Sequence, residues 1–202
     1  MSKPKSNLLA FDELDPDFKS IVAQIHGRTL IPPRKLWNLY HFARIASPIH
    51  GNAAEVGVFR GGGAKLMCLA LPDKYIHLFD TFEGMPETNP VYDLHQNGDF
   101  SETNKQEVAM FLKGHKVRLH KGLFPNTAKG YEGPFCFVHI DVDIYSSTLA
   151  AAQYFRPRMS KGGIILVDDY GARSCPGAKR AVEEYFGNGF IPLEAGQALV
   201  LC

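Results

Sequence analysis

Two short apolar runs that each end in carboxylates constrain this chain more than any other feature. The first, FCFVHIDVDIY, spans Phe135 to Tyr145 and meets Asp141 and Asp143; the second, GGIILVDDYG, spans Gly162 to Gly171 and meets Asp168 and Asp169. An uninterrupted apolar run bounded by Gly-Pro or by a glycine pair is what a strand buried on both faces of a parallel sheet requires. Between the two runs, Ser146 to Met159 sets Leu149, Ala152 and Phe155 at a spacing that suits a crossover helix. The predicted unit is βαβ. Its crossover makes the strands parallel, so both acidic ends emerge at one carboxyl edge, where open α/β sheets bind ligands. Carboxylates that close repel one another unless a cation or a proton joins them, which points to a hard divalent ion, Mg²⁺ above all. The plainer alternative is that each Asp caps a helix or stays solvated.

The rest of the chain extends this unit. NAAEVGV, Asn52 to Val58, reads as a first strand that passes through FRGGG into the helix GAKLMCLAL. Strand, glycine turn and helix let backbone N–H groups approach a ligand, although the spacing is Glu55-x-Gly57-x-x-x-Gly61 and not G-x-G-x-x-G. YIHLFD is a second strand ending in Asp80, an acid placed to accept hydrogen bonds from ribose hydroxyls or, alternatively, to cap a helix. Thr81 to Asn104 is a long polar connection of the kind that forms a functional loop or lid. Ser101 or Asn104 opens a helix to Leu112, KVRLHKG is a third strand, and CPGAKRAVEEYFG is a helix from Pro176 to Gly187 or Gly189. FIPLEAGQALVLC reads as a hairpin turning at Ala195-Gly196. Upstream, Phe18, Ile21, Val22 and Ile25 mark a helix from Asp12 to His26, and a second helix begins near Pro33 and stops before Ser47-Pro48. These leading helices, residues 1–50, serve as packing or as a cap over a substrate cavity; residues 51–202 form the core. A mostly parallel sheet of seven strands, with helices on both faces and an antiparallel C-terminal hairpin, is the layout of a Rossmann-like class I methyltransferase.

Composition narrows the partners. Lys plus Arg number 22 against 21 for Asp plus Glu, and neither sign forms a block, so nucleic acid and anionic membranes are not the expected partners. The N-terminus MSKPKSNLLAFDELD has no apolar stretch of signal-peptide length, and Cys68, Cys136, Cys175 and Cys202 are scattered without a CxxC. A soluble, cytoplasmic protein with reduced thiols and a small-molecule substrate is the expectation; its oligomeric state, homo-oligomer included, is open.

AEVGVFRGG, FDTFEGMPE, NGDF, KGLFPNT, FVHIDVDIYSST, GGIILVDDYG and CPGAKRAVEEYF, in this order and spacing, resemble the macrocin O-methyltransferase family from about Asn52 to the C-terminus. The resemblance implies S-adenosylmethionine and Mg²⁺ as cofactors, with Asp141, Asp168 and Asp169 as metal ligands. It places Glu55, Gly57 and Gly61 in the first cofactor motif, Asp80 on the ribose, and Thr81, where the family commonly has serine, beside it. Asp99, Gly122 and Asp141 also fall in motifs close to the cofactor. Asp143 matches the general base of sugar-hydroxyl methylation, although capping the helix at Tyr145 and Ser146 would equally explain an Asp there. His139 reads as a satisfied core histidine and His95 as a loop residue near substrate. The acceptor implied is a hydroxyl of a vicinal diol on a natural-product sugar or glycan. Alternatives are a catechol acceptor and a non-catalytic cofactor-binding subunit. An alcohol is too weak an acid for an aspartate alone to deprotonate, so a divalent ion beside the oxygen suits the chemistry.

Overall fold

Five strands alternate with helices before a terminal hairpin closes the sheet. The computed structural model describes residues 15–131 and 133–202; the polar stretch from Met1 to Asn7 and the predicted start of the first helix at Asp12 lie outside the described residues. Two helices come first, α1 (Pro16–Gln24) and α2 (Pro33–Ala46). Then follow β1 (Asn52–Val56), α3 (Gly62–Ala70), β2 (Ile76–Asp80), α4 (Lys105–Phe111) and β3 (Val117–Lys121). The second half comprises β4 (Phe135–Ile140), α5 (Tyr145–Phe155), β5 (Met159–Val167), α6 (Pro176–Phe186), β6 (Ile191–Pro192) and β7 (Ala198–Leu201).

The strand order is β3-β2-β1-β4-β5-β7-β6. Strands β1 to β5 pair in parallel, and β7 runs antiparallel to both β5 and β6. Connections run outward on either side of the β1–β4 pair, which makes that pair the topological switch point and opens a crevice at its carboxyl ends. Register then aligns the chemistry. Val56 lies opposite Ile140, and Ile140 opposite Val167, so Gly57, Asp141 and Asp168 leave the sheet side by side.

Each sheet face has its own core, because successive strand side chains point to opposite sides. Ala53, Phe137, Ile164 and Leu166 pack with Leu36, Leu39 and Ala43 of α2 and Leu66 and Met67 of α3. Val56, Val138, Ile140, Ile165 and Val167 pack with Ala151 and Phe155 of α5 and Val182 of α6. Helix α2 is thus part of the packing, with Leu39, Ala43 and Ala46 fully enclosed.

Boundaries differ from the sequence reading where hydrogen bonding overrides composition. Strand β1 stops at Val56, two residues early, because Gly57 takes a positive φ of 89° that no pleated strand accommodates. Strand β5 starts at Met159, ahead of the apolar run. Asn104 caps α4, its side chain accepting from the N–H groups of Gln106 and Glu107. Asp15 caps α1 in the same way, and the chain turns at Gly27, φ 72°. Among the described residues no helix is long and apolar enough to cross a membrane, and all four cysteines are free.

Candidate active site

The crevice at the switch point is a cavity lined by Glu55, Gly57, Asp80, Thr81, Gly122, Asp141, Asp143, Asp168 and Asp169, each singled out in the sequence. Arg28 to Pro32 and Lys35 form one wall, and the segment leading into α2 rests on the first turn of α3, where the Gly62 N–H donates to the Arg28 carbonyl at 3.0 Å. Gly61 and Asp99 are not among the lining residues. Gly61, at φ 84°, precedes the first turn of α3, and a side chain there would press on Val108. The Asp99 carboxylate accepts from the backbone N–H of Gln96 at 3.0 Å and pairs with His95 Nδ1 at 3.1 Å.

The glycine turn after β1 is built around close approach. A Cβ on Gly57 would sit 1.7 Å from the backbone oxygen of Asp141, so only glycine lets β1 and β4 end this near each other. Asp80 does not cap a helix. Its Oδ2 accepts from the N–H groups of Val58 and Phe59 at 2.7 and 2.9 Å, and its Oδ1 accepts from the N–H of Phe82 at 2.6 Å. The acid at the end of β2 therefore shapes the turn that follows β1. Phe59, Phe82 and Phe100 all adopt positive φ around the cavity, a conformation bulky residues hold only when their surroundings impose it.

Asp141, Asp168 and Asp169 offer ligand oxygens that lie within 4.8 Å of one another. Burial and repulsion from Asp168 and Asp169 push the Asp141 carboxyl well above the usual carboxylate range. Burial and the Asp168 charge raise Asp169 as well. Burial would also raise Asp168, but His139 and Lys35 outweigh it and hold that carboxyl low. Two cations that the sequence did not reveal in this role stand beside the aspartates. The Lys35 ammonium donates to Asp168 Oδ2 at 2.8 Å and to Asp169 Oδ1 at 3.2 Å. His139, fully buried, sits with Nδ1 3.0 Å from Glu55 Oε1 and Nε2 3.6 Å from Asp168 Oδ1. Burial opposes its protonation, yet the two carboxylates prevail and bring its pKa up to about 9. Burial also raises the Glu55 carboxyl, and His139 spans the gap between this cofactor-motif acid and the aspartate cluster.

Asp143 is not a helix cap. The first N–H of α5, on Tyr145, donates to Asp93 Oδ1 at 2.8 Å, while Asp93 Oδ2 accepts from Asn89 N–H at 2.9 Å. Asp93, buried in the loop between β2 and α4, was not legible in the sequence because its partner lies 52 residues away. The Asp143 carboxyl is left facing the cavity, with Cys175 Sγ donating to Oδ1 at 3.4 Å. Its backbone takes φ 59°, a left-handed conformation that Asp tolerates better than most residues.

Whether this donor set suits a metal and a cationic cofactor is tested by its unsatisfied atoms. Among the described residues, Asp169 Oδ2, Glu55 Oε2 and His139 Nε2 are buried in this cluster without a hydrogen-bond partner. Such carboxylate oxygens are costly unless a cation meets them. Glu55, Asp141, Asp143, Asp168 and Asp169 also outnumber the cations among them, Lys35 and His139. An all-oxygen triad fits Mg²⁺, and the orphan Glu55 oxygen fits an ammonium group.

Fold and site together define a class I methyltransferase with an acidic cluster at the ends of its central strands. The sequence profile of the family Macrocin-O-methyltransferase (TylF) matches residues 24–192. This chain belongs to that family, and is an O-methyltransferase. The match begins upstream of Asn52, so it takes in α2 and Lys35. A relative in Streptomyces olivaceus, an 8-demethyl-8-(2,3-dimethoxy-alpha-L-rhamnosyl)-tetracenomycin-C 4'-O-methyltransferase, is 31% identical over 80% of this chain and 68% of its own length. The demethyldecarbamoylnovobiocin O-methyltransferase of Streptomyces niveus is 27% identical over 79% and 68%. Among solved structures, the O-methyltransferase NovP superposes with a TM-score of 0.75 at 26% identity, covering 86% of this chain and 81% of its own. The calicheamicin methyltransferase CalS11 shares the fold over the whole chain and 98% of its own, with a TM-score of 0.70 at 18% identity.

Proposed function

We propose that this chain is a Mg²⁺-dependent methyltransferase that moves a methyl group from S-adenosylmethionine to a hydroxyl of a vicinal diol on a sugar of a natural product or glycan. The observation that carries the reading is the Asp143 carboxyl, relieved of capping by Asp93 and facing the same cavity as the three converging aspartates. The sugar is suggested by relatives that act on rhamnosyl and novobiocin-type compounds.

Asp141, Asp168 and Asp169 would hold Mg²⁺; Glu55, Asp80 and the Gly57 and Gly122 backbones would hold the cofactor. When bound, the cofactor supplies an electrophilic methyl group and the ion supplies charge that favours a deprotonated hydroxyl. Glu55 would meet the cofactor's ammonium group, and His139, 3.0 Å from Glu55 Oε1, keeps that carboxyl in place. Asp143 accepts the acceptor's proton. Burial and the Asp169 charge push its carboxyl up, so it binds a proton better than an exposed aspartate does. Lys35 bonds Asp168 and Asp169 and offsets part of the repulsion between them. Arg28 to Pro32 and Lys35 close one side of the cavity, which aligns the acceptor and limits water.

The test is calorimetric titration of S-adenosylhomocysteine with Mg²⁺ and again with EDTA, followed by methylation assays on diol-bearing sugars. Micromolar binding in both conditions with turnover only in Mg²⁺ is expected. Absence of binding in both, or full turnover in EDTA, overturns the reading.

A further inference from the structure

A second cluster of ligand-type side chains lies beside the aspartate triad and shares no residue with it. His95 comes from the long loop after β2, Asp143 from the end of β4, and Cys175 from the residue that opens α6. Cys175 Sγ is 3.7 Å from His95 Nε2 and 3.4 Å from Asp143 Oδ1. A tetrahedral zinc ion, with Zn–S about 2.3 Å and Zn–N or Zn–O about 2.0 Å, places its sulfur about 3.5 Å from a nitrogen or oxygen ligand. The two observed sulfur separations match the corresponding edges of that tetrahedron, and the third pair lies within 4.8 Å.

The orientation of His95 is an independent observation. Its Nδ1 pairs with Asp99 Oδ2 at 3.1 Å, and Asp99 is itself held by the Gln96 N–H at 3.0 Å. A carboxylate on Nδ1 fixes the tautomer that leaves the Nε2 lone pair for a metal, the outer-shell arrangement common around zinc. Phe100 packs against the ring, with centroids 5.3 Å apart. The geometry of Asp99, His95 and Cys175 also resembles a thiol nucleophile with its base and orienting acid. Electrostatics argue against that use: burial and the charges of Asp169 and Asp143 push the Cys175 thiol far up, so a free thiolate is disfavoured. A bound cation reverses this balance by releasing the thiol proton to solvent.

We propose that His95, Asp143 and Cys175 form a second metal site, selective for a borderline-soft divalent ion of the zinc type, immediately beside the hard-metal triad. Thiolate and imidazole ligands choose zinc where three carboxylates choose Mg²⁺, so two adjacent sites sort two ions. Zinc in this site takes the Asp143 carboxylate. It therefore stops methyl transfer without displacing Mg²⁺ or the cofactor, a consequence that rests on Asp143 being the base.

Cobalt(II) is the optical probe and zinc the calorimetric one, both with saturating Mg²⁺ on the full chain. Wild-type protein binds one equivalent and shows thiolate-to-cobalt charge-transfer absorption. Cys175→Ser loses that absorption, and Cys175→Ser and His95→Gln each weaken zinc binding about 100-fold, whereas Asp99→Asn weakens it about tenfold. Asp168→Asn keeps both signals, which separates this site from the triad. S-adenosylhomocysteine affinity measured on each variant verifies folding, and His95→Gln carries the test should Cys175→Ser unfold. Lack of the charge-transfer band in wild type, or zinc affinity unchanged in either ligand variant, overturns the site. Zinc that binds here yet leaves turnover intact overturns Asp143 as the base and leaves the site established.

Discussion

The Lys35 ammonium on α2 lies 2.8 Å from the Asp168 carboxylate at the end of β5, and the two side chains are nearly buried. Gln197 completes the arrangement by donating to Asp168 Oδ1 at 2.8 Å and accepting from Asn38 Nδ2 at 2.8 Å. The second helix, the hairpin and the acidic cluster are thus joined by one polar network. Buried charges of this kind contribute position more than net stability, because each has been taken out of water.

Replacing Lys35 by methionine leaves Asp169 without its cation and Asp168 with His139 alone. In EDTA the variant is expected to lose about 3 kcal/mol of stability, the usual consequence of breaking a buried ion pair. Mg²⁺ then restores part of it, so the rise in Tm between EDTA and Mg²⁺ is larger in Lys35→Met than in wild type. Thermal melts in the two conditions measure this; an equal rise in both proteins would show that Lys35 and the ion do not share the aspartates.

Asp143→Asn keeps the size of the side chain and removes its basicity. Turnover should fall by about 10² to 10⁴-fold, while S-adenosylhomocysteine affinity stays within a few-fold. The wild-type rate in saturating Mg²⁺ should rise with pH as Asp143 loses its proton, and that dependence should vanish in the variant. Steady-state rates from pH 5.5 to 8.5 decide it. A catechol, being more acidic than a sugar hydroxyl, should tolerate the change better.

Gly57→Ala asks for a methyl group 1.7 Å from the Asp141 oxygen at a residue with φ 89°. The β1–β4 ends must part to admit it. A loss of about 3 kcal/mol or more is expected, together with weakened Mg²⁺ and cofactor binding. Urea unfolding and calorimetry test it, and near-wild-type values for both would contradict the packing described.

His77, buried between β2 neighbours and 3.3 Å from His120, has its pKa lowered by burial and by His120 to about 4. Its neutral form is what folds, so its contribution is complete above pH 6.5, the ordinary value, and declines as pH falls from there toward 4. Between pH 7 and 4.5 this amounts to about 2 kcal/mol. Denaturant titrations of wild type and His77→Phe should show a shallower acid loss in the variant; parallel curves would remove His77 as the cause.

The strands, the crossover and the acidic strand ends were legible in the residues alone, because an apolar run or a helical repeat reports its own burial locally. Asp141, Asp168 and Asp169 converge as the βαβ reading required, and the hairpin pairs antiparallel beside β5. Three matters lay beyond the sequence. That Asp143 leaves the capping of α5 to Asp93, that Asp80 holds the turn after β1, and that Lys35 reaches Asp168 are all contacts between residues distant along the chain. Each is set by strand register and by how α2 packs on the sheet. Local pattern fixes which face of an element is buried; which charge meets which is decided only when the elements are assembled, because side chains pair across space and carry no trace of that pairing in their spacing.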